Sequence, residues 1–397
     1  MITLQLDIAE TVGVAALVLV AGQFVRQRVS VLSRYFIPGP VVGGLIFSLL
    51  ALLGQQSGLF TVQFDDQMRA FLLLVFFTTI GFSASFELLK KGGVAVTIFL
   101  LAAIGLVVLQ NGVGMGLASA LGIHPLLGLA AGSIALTGGH GTAAAFGPLM
   151  EQAGATGAFP AAVAAATWGL VAGCAIGGPL GTLLLRQHGL KGPQGSAAEA
   201  PARTVVEDDG DAHTSRHAMT ATILLAISMG VGTVLVDLLA GASIVIPAYL
   251  GPMLVAALVR NLIDWRGAKL PQRELDIVGA VSLSFFLAIA LMSMKLWELA
   301  DIAGPLLVIL VIQTGVMALY AYFVTFRVMG KDYDAAVIAA GHCGFGMGAT
   351  PNAMANMQAF TLVNGPSRKA FFVIPLVGSL FIDFFNATII TGFMSLL

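Results

Sequence analysis

The sequence predicts an all-α polytopic membrane protein, built as an inverted repeat of two five-helix halves that each contain one re-entrant hairpin. Composition, the placement of charges and motifs shared between the halves predict this class. Of the 397 residues, 58% are hydrophobic and only 10% are charged, whereas soluble domains carry about 25% charged residues. Too little polar surface remains to face water, which excludes a soluble globule. The net charge of −1 gives no argument for a nucleic-acid partner.

Long intervals without Asp, Glu, Lys or Arg locate the predicted membrane crossings. A helix needs about 20 apolar residues to cross the hydrocarbon core. Ten segments satisfy this requirement, near residues 7–25, 36–54, 70–88, 93–120, 160–185, 218–239, 243–260, 277–296, 304–326 and 370–394. The first begins with Asp7 and Glu10 rather than with a basic region, so we interpret it as a span and not as a cleavable signal peptide.

Basic residues predict the orientation, because Lys and Arg concentrate in cytoplasmic loops. With the N-terminus outside, 17 of the 19 Lys and Arg residues fall in inner loops. The outer loops keep only Arg69 and Lys295. We therefore expect both termini to face outward and the polar linker 186–217 to be cytoplasmic.

Two apolar intervals, 125–150 and 333–360, remain between the predicted crossings. Each must begin and end on the same side of the membrane. Each is also rich in Gly, which weakens a helix by about 1 kcal/mol per residue relative to Ala. A re-entrant hairpin solves this problem if its broken backbone is buried in protein or lines a wet cavity. We expect the first hairpin to enter from outside and the second from inside.

Motifs recur between the halves in the same order. Gln110-Asn111-Gly112 matches Gln313-Thr314-Gly315, and Gly139-His140 matches Gly341-His342. Because each half holds an odd number of spans, the second copy must be inverted, as in many secondary transporters. The predicted organisation is an N-terminal repeat over 1–185, the linker 186–217, and a C-terminal repeat over 218–397.

The Gly-rich tips of the two hairpins are the predicted substrate site. Glycines there permit positive φ and expose backbone N–H groups. Those donors, with the positive ends of half-helices, hold an anion without a cationic side chain. Alternatively, the glycines only permit close helix packing. The candidate residues are Thr137, Gly138, Gly139, His140, Gly141 and Thr142 in the first tip, and Gly341, His342, Cys343, Gly344, Thr350 and Asn352 in the second.

Individual roles within the tips differ. Backbone donors and the hydroxyls of Thr137, Thr142 and Thr350, with Asn352, would hold carboxylates. His140 and His342 could bind metal, transfer protons, or serve in packing or backbone hydrogen bonding. Packing or backbone hydrogen bonding is favoured, because two lone histidines make a poor transition-metal site. We expect Cys343 to lie in a water-accessible pathway.

Asp383 stands near the middle of the last predicted span. A carboxylate at that depth costs several kcal/mol unless it has a partner, so it indicates function. Asn386 lies one turn away on the same helix face and offers an amide oxygen. Two such oxygens suit a hard cation such as Na⁺. The alternative role for Asp383 is to pair with the ammonium group of a substrate.

Several motifs resemble those of the bacterial glutamate:Na⁺ symporter family. They are Thr137-Gly-Gly-His-Gly-Thr142, Ala340-Gly-His-Cys-Gly-Phe-Gly-Met-Gly-Ala-Thr-Pro351, Met329-Gly-Lys-Asp-Tyr-Asp-Ala-Ala-Val337, Leu296-Trp-Glu-Leu299 and Phe381-Ile-Asp383. The resemblance implies Na⁺-driven uptake of L-glutamate across the bacterial inner membrane, with Na⁺ as the co-transported ion. It also implies a homodimer, two hairpins meeting near the midplane and an elevator-type movement.

Other classes remain open alongside this interpretation. A Na⁺-coupled carrier of citrate or malate would use the same tips. A Na⁺/H⁺ antiporter is disfavoured because such carriers use paired intramembrane acids and only Asp383 qualifies here. An intramembrane hydrolase is also disfavoured, since Ser133 and His140 lie seven residues apart without a nucleophile motif. We therefore predict no catalytic residue.

Overall fold

The structure is a computed structural model that describes residues 2–34, 37–193, 211–241 and 247–396. Much of the central linker predicted over 186–217 therefore lies outside the described residues. The only strands in the described chain are β1 (Ile2–Gln5) and β2 (Phe60–Gln63), which pair in parallel. Everything else that is regular is helical, which confirms the predicted all-α class.

In the first half, the chain begins with three helices and a short connecting turn, then a long kinked helix, a broken segment and a second long helix. The elements are α1 (Ile8–Arg28), α2 (Ser30–Arg34), α3 (Gly39–Gln56), α4 (Asp66–Ser83), α5 (Phe86–Ala120), α6 (Pro125–Leu129), a π-helical turn (Ala130–Ile134), α7 (Gly139–Gln152) and α8 (Ala158–His188). The kink in α5 falls at Gly93, whose φ is 68°.

The second half follows a similar order. Its elements are α9 (Asp211–Gly241), α10 (Leu250–Trp265), α11 (Gln272–Met292), a 3₁₀ helix (Leu296–Ile302), α12 (Ala303–Tyr320), a π-helical turn (Ala321–Thr325), α13 (Phe326–Val328), α14 (Tyr333–Gly346), α15 (Thr350–Asn364), α16 (Arg368–Leu380) and α17 (Ile382–Met394).

Helix lengths identify a multi-pass membrane protein. Among the described residues, seven helices are long and apolar enough to cross a membrane, and the pair α16 and α17, bent by 47°, adds an eighth span if counted as one. The predicted crossings near 70–88 and 243–260 correspond to α4 and α10, which have only 18 and 16 residues. At 1.5 Å per residue, 16 residues extend about 24 Å, which is less than the hydrocarbon thickness of about 30 Å. Ten crossings therefore stay a prediction.

The helices sort into two groups by their contacts. The panel bundle consists of α1, α3, α4, α9, α10 and α11, and the hairpin bundle consists of α5–α8 and α12–α17. Each half of the chain supplies its first three long helices to the panel bundle and the rest to the hairpin bundle. The main contact between the bundles joins α7 to α11.

Glycines allow the closest helix contacts in the panel bundle. A Cβ on Gly22 of α1 would lie 2.1 Å from the carbonyl oxygen of Gly39 in α3, and a Cβ on Gly232 of α9 would lie 2.3 Å from the Cα of Pro252 in α10. Membrane helices commonly meet through small residues, because the backbones can then approach closely. The pairs α1/α3 and α9/α10 use this contact at corresponding places in the two halves.

The hairpin bundle holds the core. In the apolar window of α8, 61% of the residues are buried, against 22% in α1 and 17% in α9. Every residue of α14, from Tyr333 to Gly346, is buried except Asp334, which is partly exposed. Helices α1 and α9 of the panel bundle thus expose apolar surface suited to lipid, whereas 56% of the apolar window of α11 is buried. The polar tips lie inside the hairpin bundle.

Candidate functional site

The first broken helix opens where sequence analysis placed a Gly-rich tip. Pro125 starts α6 at a position where its missing N–H is harmless. The π-helical turn and the residues up to Gly138 interrupt the helix, and α7 restarts at Gly139 with a φ of +65°. A left-handed φ strongly favours Gly at this position. The first backbone N–H groups of α7 lack intrahelical partners, so the tip presents hydrogen-bond donors.

The second broken helix consists of α14 and α15, which pack side by side. A Cβ on Gly344 would lie 2.7 Å from the backbone nitrogen of Ala353, so only Gly allows the two arms to approach this closely. Helix α15 starts at Thr350 with Pro351 in its first turn. As in the first tip, a helix N-terminus opens at the break.

The two tips touch in the interior of the hairpin bundle. A Cβ on Gly139 would lie 3.0 Å from the carbonyl oxygen of Gly348. The hydroxyl of Thr137 donates to the side-chain oxygen of Gln110 at 2.7 Å, and the amide of Gln110 donates to the carbonyl oxygen of Gly346 at 2.7 Å. Gln110 of α5 therefore joins both tips.

The last helix anchors the first tip from the other side. The hydroxyl of Ser133 donates to the side-chain oxygen of Asn386 at 2.7 Å. The amide of Asn386 donates back to the carbonyl oxygen of Ser133 at 3.3 Å. The backbone N–H of Ser133 donates to the side chain of Asn111 at 2.9 Å. Each of these three side chains is fully buried.

Both histidines bind threonine hydroxyls and not the tip backbone. The packing role that we also favoured is present at His342, whose ring centroid lies 4.9 Å from that of Phe99 and 5.8 Å from that of Phe345. The hydroxyl of Thr167 donates to the carbonyl of Val163 at 3.0 Å, so the 3.0 Å contact between His140 Nε2 and Thr167 requires a proton on Nε2. His342 Nδ1 lies 2.8 Å from the hydroxyl of Thr325. These contacts join the tips to α8 and to the π-helical turn after α12.

Three other residues of the first tip lie close to neighbouring helices. A Cβ on Gly138 would lie 2.5 Å from the hydroxyl oxygen of Thr142 and 2.8 Å from the amide of Asn386. Gly141 instead faces the panel bundle, where a Cβ would lie 3.1 Å from Leu283 of α11. Thr142 is therefore beside the break, and Gly141 is at the contact between the bundles.

In the second tip, the polar residues surround the start of α15. The amide of Asn352 donates to the carbonyl oxygen of Leu170 at 2.9 Å, while its buried side-chain oxygen has no hydrogen-bond partner within the described chain. Thr350 is partly buried, and a Cβ on Gly378 of α16 would lie 2.6 Å from its hydroxyl. Gly341 lies against Met357 on the other arm.

The structure does not give Cys343 the water access that we expected. Its side chain is fully buried. Helix α14 is enclosed by α8, α15 and α16, and the Cys343 carbonyl lies 2.8 Å from the position of a Cβ on Gly173. The prediction is wrong for this conformation, because packing on every side of α14 cannot be read from a uniformly apolar sequence.

Asp383 lies at a helix break rather than in the middle of a continuous span. Helix α16 ends at Leu380 and α17 begins at Ile382, so the carboxylate belongs to the first turn of α17. The positive end of a helix dipole stabilises a carboxylate there. Asp383 is partly buried, and no hydrogen bond or ion pair is recorded for it in the described part of the chain. Asn386 is on the same helix, but its oxygen already accepts from Ser133.

Some residues that organise the site were not among the predicted site residues. The sequence suggested that Gln110 hydrogen-bonds between helices or lines the pathway, and Ser133 was weighed as a nucleophile and disfavoured. The signal for both was a polar side chain inside an otherwise apolar run, at Gln110-Asn111 and at Ser133. Thr167 and Thr325 also lie in apolar runs, but nothing in the sequence marks them as partners of the two histidines.

Apolar helices of spanning length, together with two broken helices that meet at a buried polar centre, define a multi-pass membrane protein. The model of the family described as "Sodium/glutamate symporter" matches residues 4–366. The chain belongs to this family, which confirms the resemblance seen in its motifs. The match ends before Asp383 and Asn386.

Curated relatives align beyond that point. The sodium/glutamate symporter of Escherichia coli (strain K12) is 46% identical over 394 residues, covering 99% of this chain and 98% of the relative, and that of Shigella flexneri gives the same values. The sodium/glutamate symporter of Haemophilus influenzae is 42% identical over 392 residues, covering 96% of this chain and 95% of the relative.

Proposed function

We propose that this protein is a secondary transporter that couples Na⁺ to the symport of L-glutamate into the cell by alternating access. Family membership and relatives covering almost the whole chain support this function. Na⁺ is then a co-transported ion, and the protein catalyses no chemical reaction.

The meeting of the two broken helices carries the proposal. Each tip presents a helix N-terminus, and free backbone N–H groups at such ends bind carboxylates without a cationic side chain. At the start of α15, Pro351 has no N–H and the N–H of Asn352 donates to Ala349, which leaves the N–H of Thr350 as the available donor. The hydroxyls of Thr137, Thr142 and Thr350 and the side chain of Asn352 add polar groups around the same breaks. The unpartnered oxygen of Asn352 is an acceptor suited to the ammonium group of glutamate.

Asp383 is the proposed Na⁺ ligand. Hard cations take oxygen ligands, and interrupted membrane helices supply carbonyl oxygens at the C-terminal ends of their half-helices. The break between α16 and α17 places such an end directly before Asp383. Asn386 contributes a second oxygen through the lone pair that Ser133 leaves free. The pairing of Asp383 with the substrate ammonium remains the competing role.

Alternating access follows from movement of the hairpin bundle against the panel bundle, as in an elevator. The limited contact between the bundles supports this motion, and so does the small residue Gly141 at the face towards α11. We further propose that the halves are inverted repeats over 1–185 and 218–397, with re-entrant hairpins and a cytoplasmic linker over 186–217. The protein would work as a homodimer in the bacterial inner membrane with both termini periplasmic.

Uptake of labelled glutamate into proteoliposomes tests the function. An inward Na⁺ gradient should drive accumulation, while an equal K⁺ gradient should not. Unlabelled glutamate should compete, and citrate and malate should not. Uptake without Na⁺ would refute the coupling. Competition by citrate or malate alone would instead identify a carrier of di- or tricarboxylates, which has no need for a partner to an ammonium group.

A further inference from the structure

A basic cavity lies away from the tips, where the C-terminal ends of α8 and α15 meet. Its volume is about 630 Å³. Arg186 and Lys191 line it together with Thr182 and Asn364, and Leu185 and Phe360 are among its apolar lining residues. No lining residue in the described chain is acidic, and no carboxylate there forms a recorded ion pair with either cation.

The chain that follows α8 forms a fixed wall of this cavity. Gly189 ends α8 with a φ of 63°, a left-handed turn that sends the chain back across the end of α15. A Cβ on Gly192 would lie only 1.8 Å from the carbonyl oxygen of Asn364, and a Cβ on Gly365 only 2.6 Å from that of Pro193. Lys191 is therefore held next to the cavity by a tightly packed segment and is not on a free loop.

Apolar surface continues outward from the cavity. Val363, which lines it, is 84% exposed, and the neighbouring Leu362 is 74% exposed. In a membrane protein, exposed apolar side chains of this kind are suited to contact with acyl chains. Two cations beside a polar pocket, with lipid-facing surface adjoining it, provide the two kinds of contact that a phospholipid makes.

We propose that this cavity binds the headgroup of an anionic phospholipid, with its phosphate between Arg186 and Lys191 and an acyl chain along Val363. Basic pockets between membrane helices on the cytoplasmic side bind anionic headgroups in this way. The predicted orientation puts Arg186 on that side. Interaction with the carbonyl end of α8 accounts for Arg186 alone, but it explains neither the cavity nor Lys191, which follows the helix end.

A free phosphate ion is a weaker match to these features. Phosphate would use the two cations but would leave the apolar lining and Val363 without a partner. A lipid with the same phosphate would contact both the two cations and the apolar lining. The proposal concerns lipid alone and does not depend on which substrate the tips hold.

Native mass spectrometry of the purified full-length protein tests the site. Phosphatidylglycerol and phosphatidylcholine with identical acyl chains are added separately, and retained lipid is measured. We expect phosphatidylglycerol to be retained preferentially. The double variant Arg186→Gln/Lys191→Gln should lower its retention about 30-fold, at about 1 kcal/mol per cation. The matched variant Arg266→Gln/Arg273→Gln removes the same charge from exposed positions outside the cavity and should retain the lipid.

A second pair of variants changes the cavity and leaves its charge intact. Gly178 lines the cavity, and a Cβ there meets nothing within 4 Å, so Gly178→Leu should fold and partly fill the space. It should weaken phosphatidylglycerol retention, whereas Gly116→Leu, at a similarly open position on α5, should not. Circular dichroism and gel filtration confirm that each variant is folded.

Three results would overturn the proposal. Equal retention by wild type and the Arg186/Lys191 variant would remove the site. Displacement of the lipid by inorganic phosphate at equal concentration would make it a simple anion site. Lipid binding that appears only after Glu207, Asp208 and Asp209 are changed to amides would identify the acidic linker as the native occupant.

Discussion

Ser133 and Asn386 are joined by two hydrogen bonds across 253 residues of sequence. The Ser133 hydroxyl donates to the side-chain oxygen of Asn386 at 2.7 Å, and the amide of Asn386 donates to the carbonyl of Ser133 at 3.3 Å. The first broken helix is thereby attached to α17, the helix that carries Asp383. A ligand that changes the position of α17 therefore also acts on the first tip, which gives a physical route for coupling Na⁺ to substrate.

Replacing Asn386 should destabilise the protein more than replacing Ser133. Ser133→Ala loses one hydrogen bond and leaves the buried side-chain oxygen of Asn386 without its donor, which should lower stability by about 1–3 kcal/mol. Asn386→Leu loses both hydrogen bonds and leaves the Ser133 hydroxyl without its acceptor, while the Ser133 carbonyl still accepts from the N–H of Gly138 at 2.8 Å. Because one more hydrogen bond is lost, it should lower stability by about 1 kcal/mol more than Ser133→Ala does. Thermal unfolding of the purified proteins checks the order. A more stable Asn386→Leu than Ser133→Ala would contradict the interpretation.

Asp383→Asn should abolish transport under ordinary Na⁺ concentrations, because both proposed roles need a carboxylate. The roles differ in binding. If Asp383 holds Na⁺, the variant should need about 10- to 150-fold more Na⁺ for half-maximal glutamate binding, which saturating Na⁺ restores. If it pairs with the ammonium, binding should stay weak at any Na⁺ concentration. Unchanged dependence on Na⁺ together with unchanged glutamate affinity would exclude both roles.

Bulky replacements of the tip glycines should abolish uptake and leave membrane insertion intact. In Gly344→Leu, the new Cβ would lie 2.7 Å from the backbone nitrogen of Ala353. In Gly139→Leu, the new Cβ would lie 3.0 Å from the carbonyl oxygen of Gly348, and the backbone φ of +65° is one that Leu rarely adopts. Overpacking of this kind costs about 1–3 kcal/mol. Gly112→Leu is the matched control, because a Cβ there has nothing within 4 Å. Normal uptake by Gly344→Leu would show that the close approach of the arms is dispensable.

Cys343 should report opening of the second hairpin. Because its side chain is fully buried here, alkylation requires a conformation in which α14 has separated from its neighbours. Reaction with a small thiol reagent should therefore be slow, should inactivate transport, and should slow further when Na⁺ and glutamate are both present. Cys174, which is partly buried on α8, gives an internal comparison. A Cys343 rate unaffected by ligands would separate this helix from the transport cycle.

The environment of Glu151, at the C-terminal end of α7, predicts a pH-dependent stability. Its carboxylate accepts from the N–H of Phe159 at 3.0 Å, yet burial, with repulsion from Glu298, raises the pKa of Glu151 above its usual 4.5. A raised carboxyl pKa means that the ionised form opposes folding, so the penalty is present above the folded pKa and disappears below the unfolded value. Glu151→Gln should therefore melt at a higher temperature than wild type at neutral pH, and the difference should vanish below about pH 4. A difference independent of pH would refute the assignment.

The positions of both helix breaks could be predicted because glycine acts locally. The tips at Gly139 and Gly346 lie within the Gly-rich runs that sequence analysis selected. Local signals also exist for the break before Asp383, where Pro375 and Gly378 weaken α16, but the apolar run around them suggested one continuous span.

Contacts between distant segments could not be predicted in the same way. The partners of the two histidines, Thr167 and Thr325, lie 27 and 17 residues away in sequence, and nothing in the spacing marks them. The burial of Cys343 likewise depends on α8, α15 and α16 closing around α14. Hydropathy distinguishes segments buried in the membrane from segments exposed to water, but it does not distinguish a lipid-facing helix from one enclosed by protein.

Gln110 donates its side-chain amide to a carbonyl 236 residues further along the chain. Helix α5 and the first tip are synthesised long before Gly346. Thr137 and Gln110 therefore enter the bilayer before α14, against which they pack, has been made. The newly made N-terminal half therefore contains buried polar groups, such as the amide of Gln110, whose hydrogen-bond partners lie in the second half. Biogenesis must keep that half from closing on a wrong partner until the chain is almost finished.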